Sequence, residues 1–573
     1  MAILSSPFPR SRNIGRFGAS DTGTDLPVNG LSWQSLAEYF RAKRAAAIPT
    51  RWTIPSLTLN EAIRSTQRPV DLLPRFLSHH EMQITALGAA ELASKIRNFE
   101  LSCIQVAEAF CHRAAVAQQL TNCLTETFFS EAMNQARKLD AILKASGEPV
   151  GPLHGVPVSV KDQIIVKGKH TASGYTLHAK GPVKEQDAPI VETLRNAGAV
   201  LYCKTNEPQC TMAMEAVNNI YGRTLNPWNS NLGPGGSSGG EGALLGMQGS
   251  PLGIGTDVNG SVRVAAAYCG LYGFKPSARR IPTAAREHCM LEQESIASVA
   301  GPLGHNVEDL ELFLQVACDA KPWLREPLLR MPWRSQIRRM QSQKLAIGIM
   351  LCDDVVLPHP YITRVVTETA QKLQAAGHEV LEFKPYEHKK AWDEIQLPLY
   401  FADGGRDVKA LLAGKEPILA SAKRLLDDPN IRERTLHEVR KLNLARDLYR
   451  AEYLQHWADT AKATSSGQPM DVLICPAAPT QGTPHEVKTW WGYCSQWNLL
   501  DYPSGVLPAG RVRCTDAYPE GYEPANELDE ENMKLYDIKL YADLPVTIQV
   551  VAPNQEDERL MGAMKVIDAV IRG

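Results

Sequence analysis

The segment Gly233-Pro234-Gly235-Gly236-Ser237-Ser238-Gly239-Gly240-Glu241-Gly242 sets two hydroxyls in the middle of a glycine-rich run. So many glycines suit no regular element, but they let backbone N–H groups approach a ligand closely. Ordered flanks argue against a flexible linker: Asn226-Pro227-Trp228 precedes the run and an apolar small-residue helix follows it. The Lys-Ser/Thr pair that closes a phosphate-binding loop is missing. The run satisfies G-x-S-x-G twice, centred on Ser237 and Ser238, so a nucleophile elbow of the α/β-hydrolase kind is one reading. That reading needs an acid and then a histidine downstream, and no candidate is marked by local context.

A third serine, Ser261, follows 24 residues after Ser237 in Gly255-Thr256-Asp257-Val258-Asn259-Gly260-Ser261-Val262-Arg263, a glycine-bearing turn at the end of an expected strand. Upstream, Gly155-Val156-Pro157-Val158-Ser159-Val160-Lys161-Asp162 ends an apolar strand in a lysine. Alone, such a lysine reads as a solvated strand end. A serine alkoxide does not form unaided near neutral pH, and lysine serves as its base only when burial lowers its pKa toward about 7–8.

The elements that carry these residues alternate in type. Ile104 to Leu120 and Glu131 to Leu143 have the three-and-four apolar spacing of amphipathic helices. Short apolar runs follow helical stretches: Val156 to Val160, Ala199 to Cys203 after Ala188 to Asn196, and Leu252 to Gly255 after Gly240 to Gln248. The pattern recurs at Leu345 to Met350, Glu379 to Phe383 after Val365 to Ala375, and Val472 to Cys475, and closes with Val546 to Val551 and a helix from Glu556 to Ile571. Helices alternating with buried strands imply an α/β core with a largely parallel sheet. Glu438 to Thr460 is a long charged helix, expected to cover the core surface. Residues 1–30 are expected to be a disordered or flexible tail, with a faint likeness to a transit peptide, and residues 31–90 a proline-punctuated helical arm. Residues 91–573 carry the rest.

Lys plus Arg number 61 and Asp plus Glu 63, a balance with no electrostatic footprint for nucleic acid or an anionic membrane. A small molecule is the expected partner. The 12 cysteines are dispersed, with no C-x-x-C pair and no zinc-like spacing. They read as reduced, mostly buried thiols in a cytoplasmic protein, and no stretch approaches the roughly 18 apolar residues of a membrane span.

Taken together, the three segments resemble the amidase signature family in order and spacing, through GGSSGG-E-GAL, GTD-x-x-GS-x-R and GVPVSVKD. Leu153-His154-Gly155, Thr224-Leu225-Asn226-Pro227, Gly273-Phe274-Lys275-Pro276 and Gly301-Pro302-Leu303 look like further landmarks, so the resemblance covers most of the chain. The Trp33 region, Ala117 to Asn122 and Met331-Pro332-Trp333 are similar to the fungal acetamidase or general amidase branch. The resemblance implies an α/β/α sandwich around a mixed β-sheet with an N-terminal helical arm, no cofactor or metal, and in many relatives a homodimer. It implies a Ser–Ser–Lys set with Ser261 attacking the carbonyl, Ser237 bridging and Lys161 as base. A cis peptide is implied at Gly236–Ser237. The backbone N–H groups of Val258, Asn259, Gly260 and Ser261 would form an oxyanion hole. Ser238 and Arg263 match bracing positions, and Thr211 a substrate-contacting one.

Two departures stand out. Asn259 takes a position where the family has Gly, and its side chain is expected either to crowd the acyl pocket or to add a donor, in a turn that tolerates positive φ at Asn. Ala265 replaces a Pro, at a cost in helix rigidity. The implied reaction is cleavage of a carboxylic amide to acid and ammonia or amine. Alternatives are an esterase or acyltransferase with the same acyl-enzyme, a binding protein of the same fold with impaired catalysis, and the glutaminase subunit of a transamidosome. The N-terminal region and the acetamidase-like landmarks argue against the last.

Overall fold

A computed structural model describes residues 30–290, 293–335, 340–341 and 343–573. The expected tail, apart from Gly30, lies outside the described residues. Helices at Trp33–Ala46, Ser56–Ser65 and His79–Thr85, with 3₁₀ turns between them, follow in the region of the expected arm. Leu36 and Phe40 pack there on Ala172, Ala179, Ile220 and Tyr221.

The strands are β1 (Leu124–Thr127), β2 (Pro157–Lys161), β3 (Val200–Thr205), β4 (Val217–Asn218), β5 (Gly222–Arg223), β6 (Leu252–Asp257), β7 (Tyr272–Lys275), β8 (Val299–Gly304), β9 (Ala346–Ile349), β10 (Glu379–Glu382), β11 (Val472–Cys475), β12 (Ser504–Arg511) and β13 (Pro545–Val551). All but the β4–β5 ribbon join an 11-stranded sheet in the order β1-β3-β2-β6-β8-β7-β12-β13-β11-β9-β10. The sheet is mixed, which corrects the largely parallel sheet inferred from helix–strand alternation. Parallel pairing is confined to β3-β2-β6 and β11-β9-β10. The strands between them, β8, β7, β12 and β13, pair antiparallel. With its flanking helices the chain forms the α/β/α sandwich that the resemblance implies.

The helices follow their local chemistry. Cys103–Thr121 opens on a Ser102/Gln105 capping box and closes on Asn122 in the left-handed region, as Asn tolerates better than most residues. The charged helix Leu436–Ala458 buries only Tyr449, Tyr453 and Trp457 and so covers the core, as expected.

Parallel connection positions the site. The helix Pro189–Asn196 connects β2 to β3, and Gly239–Gly246 lies between β3 and β6. Each helix returns the chain to the starting edge, so β2, β3 and β6 all end at the opposite edge. Functional side chains in such sheets gather at these carboxyl ends. Lys161 closes β2, Asp257 closes β6, and Gly239–Gly246 begins its return beside them at Ser237-Ser238.

Candidate active site

Register brings the three sequence segments together. Lys161 pairs across from Thr205 of β3, and Val160 from Ile254 of β6, so the Lys161 side chain reaches the β6 end and the glycine-rich loop. Its Nζ lies 2.6 Å from Ser237 Oγ and 2.9 Å from Thr256 Oγ1. Ser237 Oγ is in turn 3.0 Å from Ser261 Oγ. The Gly236–Ser237 peptide is cis, as the resemblance implied. Gly236 is required by crowding, because a Cβ there would lie 2.4 Å from the carbonyl oxygens of both Ala213 and Glu215. The loop is tied to the turn by the Ser238 N–H, which donates to the Ser261 carbonyl at 3.3 Å.

This chain of groups can carry a proton. Thr256 donates its hydroxyl hydrogen to Gln163 and therefore accepts from Lys161. That contact holds one Lys161 N–H, while Ser237 Oγ at 2.6 Å and the Glu207 carboxylate at 3.6 Å lie against the same nitrogen. When Lys161 is neutral, its lone pair accepts from Ser237 while Ser237 accepts from Ser261. All three residues are buried, and burial pushes the Lys161 amine from 10.5 down to about 8, with the Glu207 and Asp257 carboxylates pulling the other way. Asp162, next in sequence, turns aside: it accepts from Thr125 Oγ1 and from the N–H groups of Ala172 and Ser173.

Asp257 shapes the Ser261 turn. Its carboxylate accepts from Gly260 N (2.8 Å), Val262 N (3.1 Å), Asn498 Nδ2 (2.9 Å) and, at 3.0 Å each, Arg263 Nε and Nη2. Against the cost of burial, Arg263 holds the Asp257 carboxyl well below the ordinary carboxylate range. Arg263 is fully buried and also donates to the Cys494 carbonyl and Gln549 at 2.9 Å each and to Asn498 at 2.7 Å. It is a brace and not a solvated surface group. Ser238 Oγ sits 3.3 Å from the Thr256 carbonyl on the same strand.

Two turn residues depart from expectation. Gly260 supplies the left-handed conformation, with φ at +107°, so Asn259 carries no such strain. The Gly260 N–H is engaged by Asp257, which takes it out of the expected four-donor oxyanion set. The N–H groups of Val258, Asn259 and Ser261 have no acceptor among the described residues. Tyr400 donates to the Val258 carbonyl at 2.5 Å and lies 3.5 Å from Asn259 Oδ1, while the buried Asn259 Nδ2 has no partner among the described residues.

The sequence model of the family described as Amidase matches residues 105–561. The chain belongs to the amidase family. An amidase of Gibberella zeae is 39% identical over 555 residues, 95% of this chain and 100% of the relative. An acetamidase of Emericella nidulans is 39% identical over 538 residues, 92% of this chain and 96% of the relative. Among solved structures, a fatty acid amide hydrolase matches with a TM-score of 0.88 and 32% identity, covering 96% of each chain. The chain is thus an amidase, a hydrolase acting on carbon–nitrogen bonds of amides.

In this amidase a cavity of about 320 Å³ is lined by Val258, Arg286, His288 and Met290 at the Ser261 turn, and a second, of about 450 Å³, has none of the proton-chain residues in its lining. Met212, Met214, Trp392, Trp490, Trp491 and Leu528 give it apolar walls. It borders the 213–215 backbone that packs on Gly236. Thr211 stands outside the proton chain, its hydroxyl 3.4 Å from His288 Nε2. Sequence reasoning missed Gln163, Thr256, Glu207 and Tyr400 as parts of the site. Thr256 and Gln163 lie within or next to motif segments, so proximity was their available signal. Tyr400 arrives from a distant helix and has none.

Proposed function

We propose that this amidase works through an acyl-enzyme on Ser261, with Ser237 as relay and Lys161 as base. The observation that carries the reading is the unbroken contact from Lys161 Nζ through Ser237 Oγ to Ser261 Oγ, at 2.6 and 3.0 Å. Ser261 Oγ bonds to the amide carbon as its proton passes to Ser237 and the Ser237 proton to Lys161. The carbonyl oxygen, now negative, is held by the N–H groups of Val258, Asn259 and Ser261. Returning the proton through Ser237 to the nitrogen lets the C–N bond break and ammonia or amine leave. Water then repeats the sequence at the acyl carbon and releases the acid.

On this reading the apolar cavity takes the acyl group and Thr211, next in sequence to Met212 of its wall, is a substrate contact. Unbridged cysteines, 11 of them wholly or partly buried, fit an enzyme of the cytoplasm. Ser261→Ala is expected to abolish turnover at an unchanged unfolding midpoint, and acid-quenched wild type to carry the acyl mass on Ser261. Near wild-type turnover by Ser261→Ala would remove Ser261 as nucleophile. Adding a competing amine separates hydrolysis from acyl transfer.

A further inference from the structure

We propose that Glu207 is a positioning residue for the proton on Lys161, its carboxylate being the buried counter-charge that sets the pH above which the base becomes available. The inference rests on the reading of Lys161 as base. Because Lys161 pairs with Thr205, the chain leaving β3 crosses the lysine within two residues and delivers Glu207 to it. Oε2 lies 3.6 Å from Nζ, and both side chains are 0% exposed.

What sets Glu207 apart is what it lacks. Asp162 and Asp257 are wrapped in donors as described above, and Glu241 accepts from Ser159 (2.6 Å) and Thr205 (2.7 Å). Neither oxygen of Glu207 has a hydrogen-bond partner among the described residues. A buried carboxylate without donors is costly, and Lys161 is the cation that lies against it. The protonation of the two groups is therefore linked. With Lys161 charged, Glu207 is its counter-ion; when Lys161 gives up its proton, Glu207 is left without one and is driven to take a proton itself.

The surroundings do not replace that partnership. Asp162 is paired with Lys204 at 3.5 Å, and Asp257 with Arg263. Arg286 acts on Lys161 in the direction opposite to Glu207, favouring loss of the proton. Burial keeps His288 neutral, pushed down to about 3, and Cys289 a thiol, pushed up to about 11. Burial likewise lifts the Glu241 carboxyl to about 7 and pushes the Glu207 carboxyl upward, while the Lys161 charge beside Glu207 pulls it back down and keeps the two titrations linked.

Removing the Glu207 charge should make Lys161 lose its proton more readily and move the acid limb of activity to lower pH. The test compares kcat/KM against pH for wild type, Glu207→Gln and the near-isosteric Glu207→Met, each scaled to its own plateau. The same limb is read from the rate at which a fluorophosphonate phosphonylates Ser261, the serine oxygen bonding to phosphorus as fluoride leaves, which reports folded molecules alone. Both variants are expected to shift the limb downward by about one unit, a roughly tenfold larger fraction of plateau activity at pH values well below the wild-type midpoint. A limb left at the wild-type position in both variants, or moved upward, overturns the inference. Lys161→Ala run in parallel separates the two ideas. Should it keep rate and limb, the base reading fails; should it be inactive while the Glu207 variants keep the wild-type limb, the inference alone fails.

Discussion

Replacing Arg263 with Met tests whether the Ser261 turn is held by a buried ion pair. The substitution keeps most of the side-chain volume but strips Asp257 of two donors and leaves the Cys494 carbonyl, Gln549 and Asn498 each without one. Breaking a buried pair from one side costs about 3–5 kcal/mol, because the other charge is stranded. Three acceptors losing a donor add roughly 1 kcal/mol each where they cannot turn to another partner. A total of about 6–8 kcal/mol, when none of the three finds another donor, rivals the roughly 5–15 kcal/mol net stability of a typical protein. The unfolding midpoint in urea should therefore fall steeply. On the folded fraction, kcat/KM should drop about 10²–10³-fold, the usual effect of losing an oxyanion donor, as the turn relaxes. Because Asp257 is held below its ordinary 3.8, the pair's contribution is complete above that pH and is lost as pH falls toward the depressed folded value. In the variant burial raises the stranded Asp257 carboxyl, so the wild-type advantage should begin to narrow as pH falls through that raised value and go on narrowing under strong acid. Adding Asp257→Asn removes the stranded charge, so the double variant should be more stable than the sum of the single losses by about 2 kcal/mol. A single-variant loss under about 1 kcal/mol, or strictly additive losses, would refute the argument.

Further outcomes are expected at Lys161 and Asn259. With the Lys161 amine lowered from 10.5 to about 8, kcat/KM should rise about tenfold per pH unit below 8 and level off above it. Lys161→Arg should be inactive at every pH because guanidinium keeps its proton, and an active variant with the wild-type profile would identify another base. The folded state holds fewer protons on Lys161 than the unfolded chain does between pH 8 and 10.5, so the stability of wild type minus that of Lys161→Met should climb with pH across that window, Lys275 contributing alike to both. Asn259→Gly should keep or raise activity toward bulky acyl amides relative to small ones, at a backbone-entropy cost of about 0.5–1 kcal/mol. Loss of activity on every amide tested would instead make the unpartnered Nδ2 a needed donor.

The legible parts of the site were those written in one short stretch of chain. Lys161, Ser237 and Ser261 each sit in a local pattern of glycine turn or strand end, so their types and order could be weighed before any packing was known. Their convergence depends on register between β2, β3 and β6, and so does Glu207, whose sequence neighbours Asn206 and Pro208 look like an ordinary loop. Arg263 reads locally as a charged residue in a turn. Its acceptors Asn498 and Gln549 lie 235 and 286 residues away, which is why its burial was not evident. In the fold, β7, β8 and β12 escaped detection because Tyr-Gly-Phe-Lys, Val-Ala-Gly-Pro-Leu-Gly and Ser-Gly-Val-Leu-Pro-Ala-Gly-Arg carry the glycines and prolines that strands usually avoid. Those strands supply most of the antiparallel middle of the sheet, so their omission made the whole look parallel.

The placement of Ser237 between base and nucleophile has a consequence for how such an enzyme diversifies. Lys161 touches Ser237, Thr256 and Glu207, and the apolar cavity is walled by Met212, Trp392, Trp490 and Leu528 from other parts of the chain. The two sets share no residue. Mutations that reshape the cavity can therefore accumulate without altering the proton chain, and those that tune the lysine need not alter which acyl group fits. Selection can act on substrate choice and on working pH as separable traits.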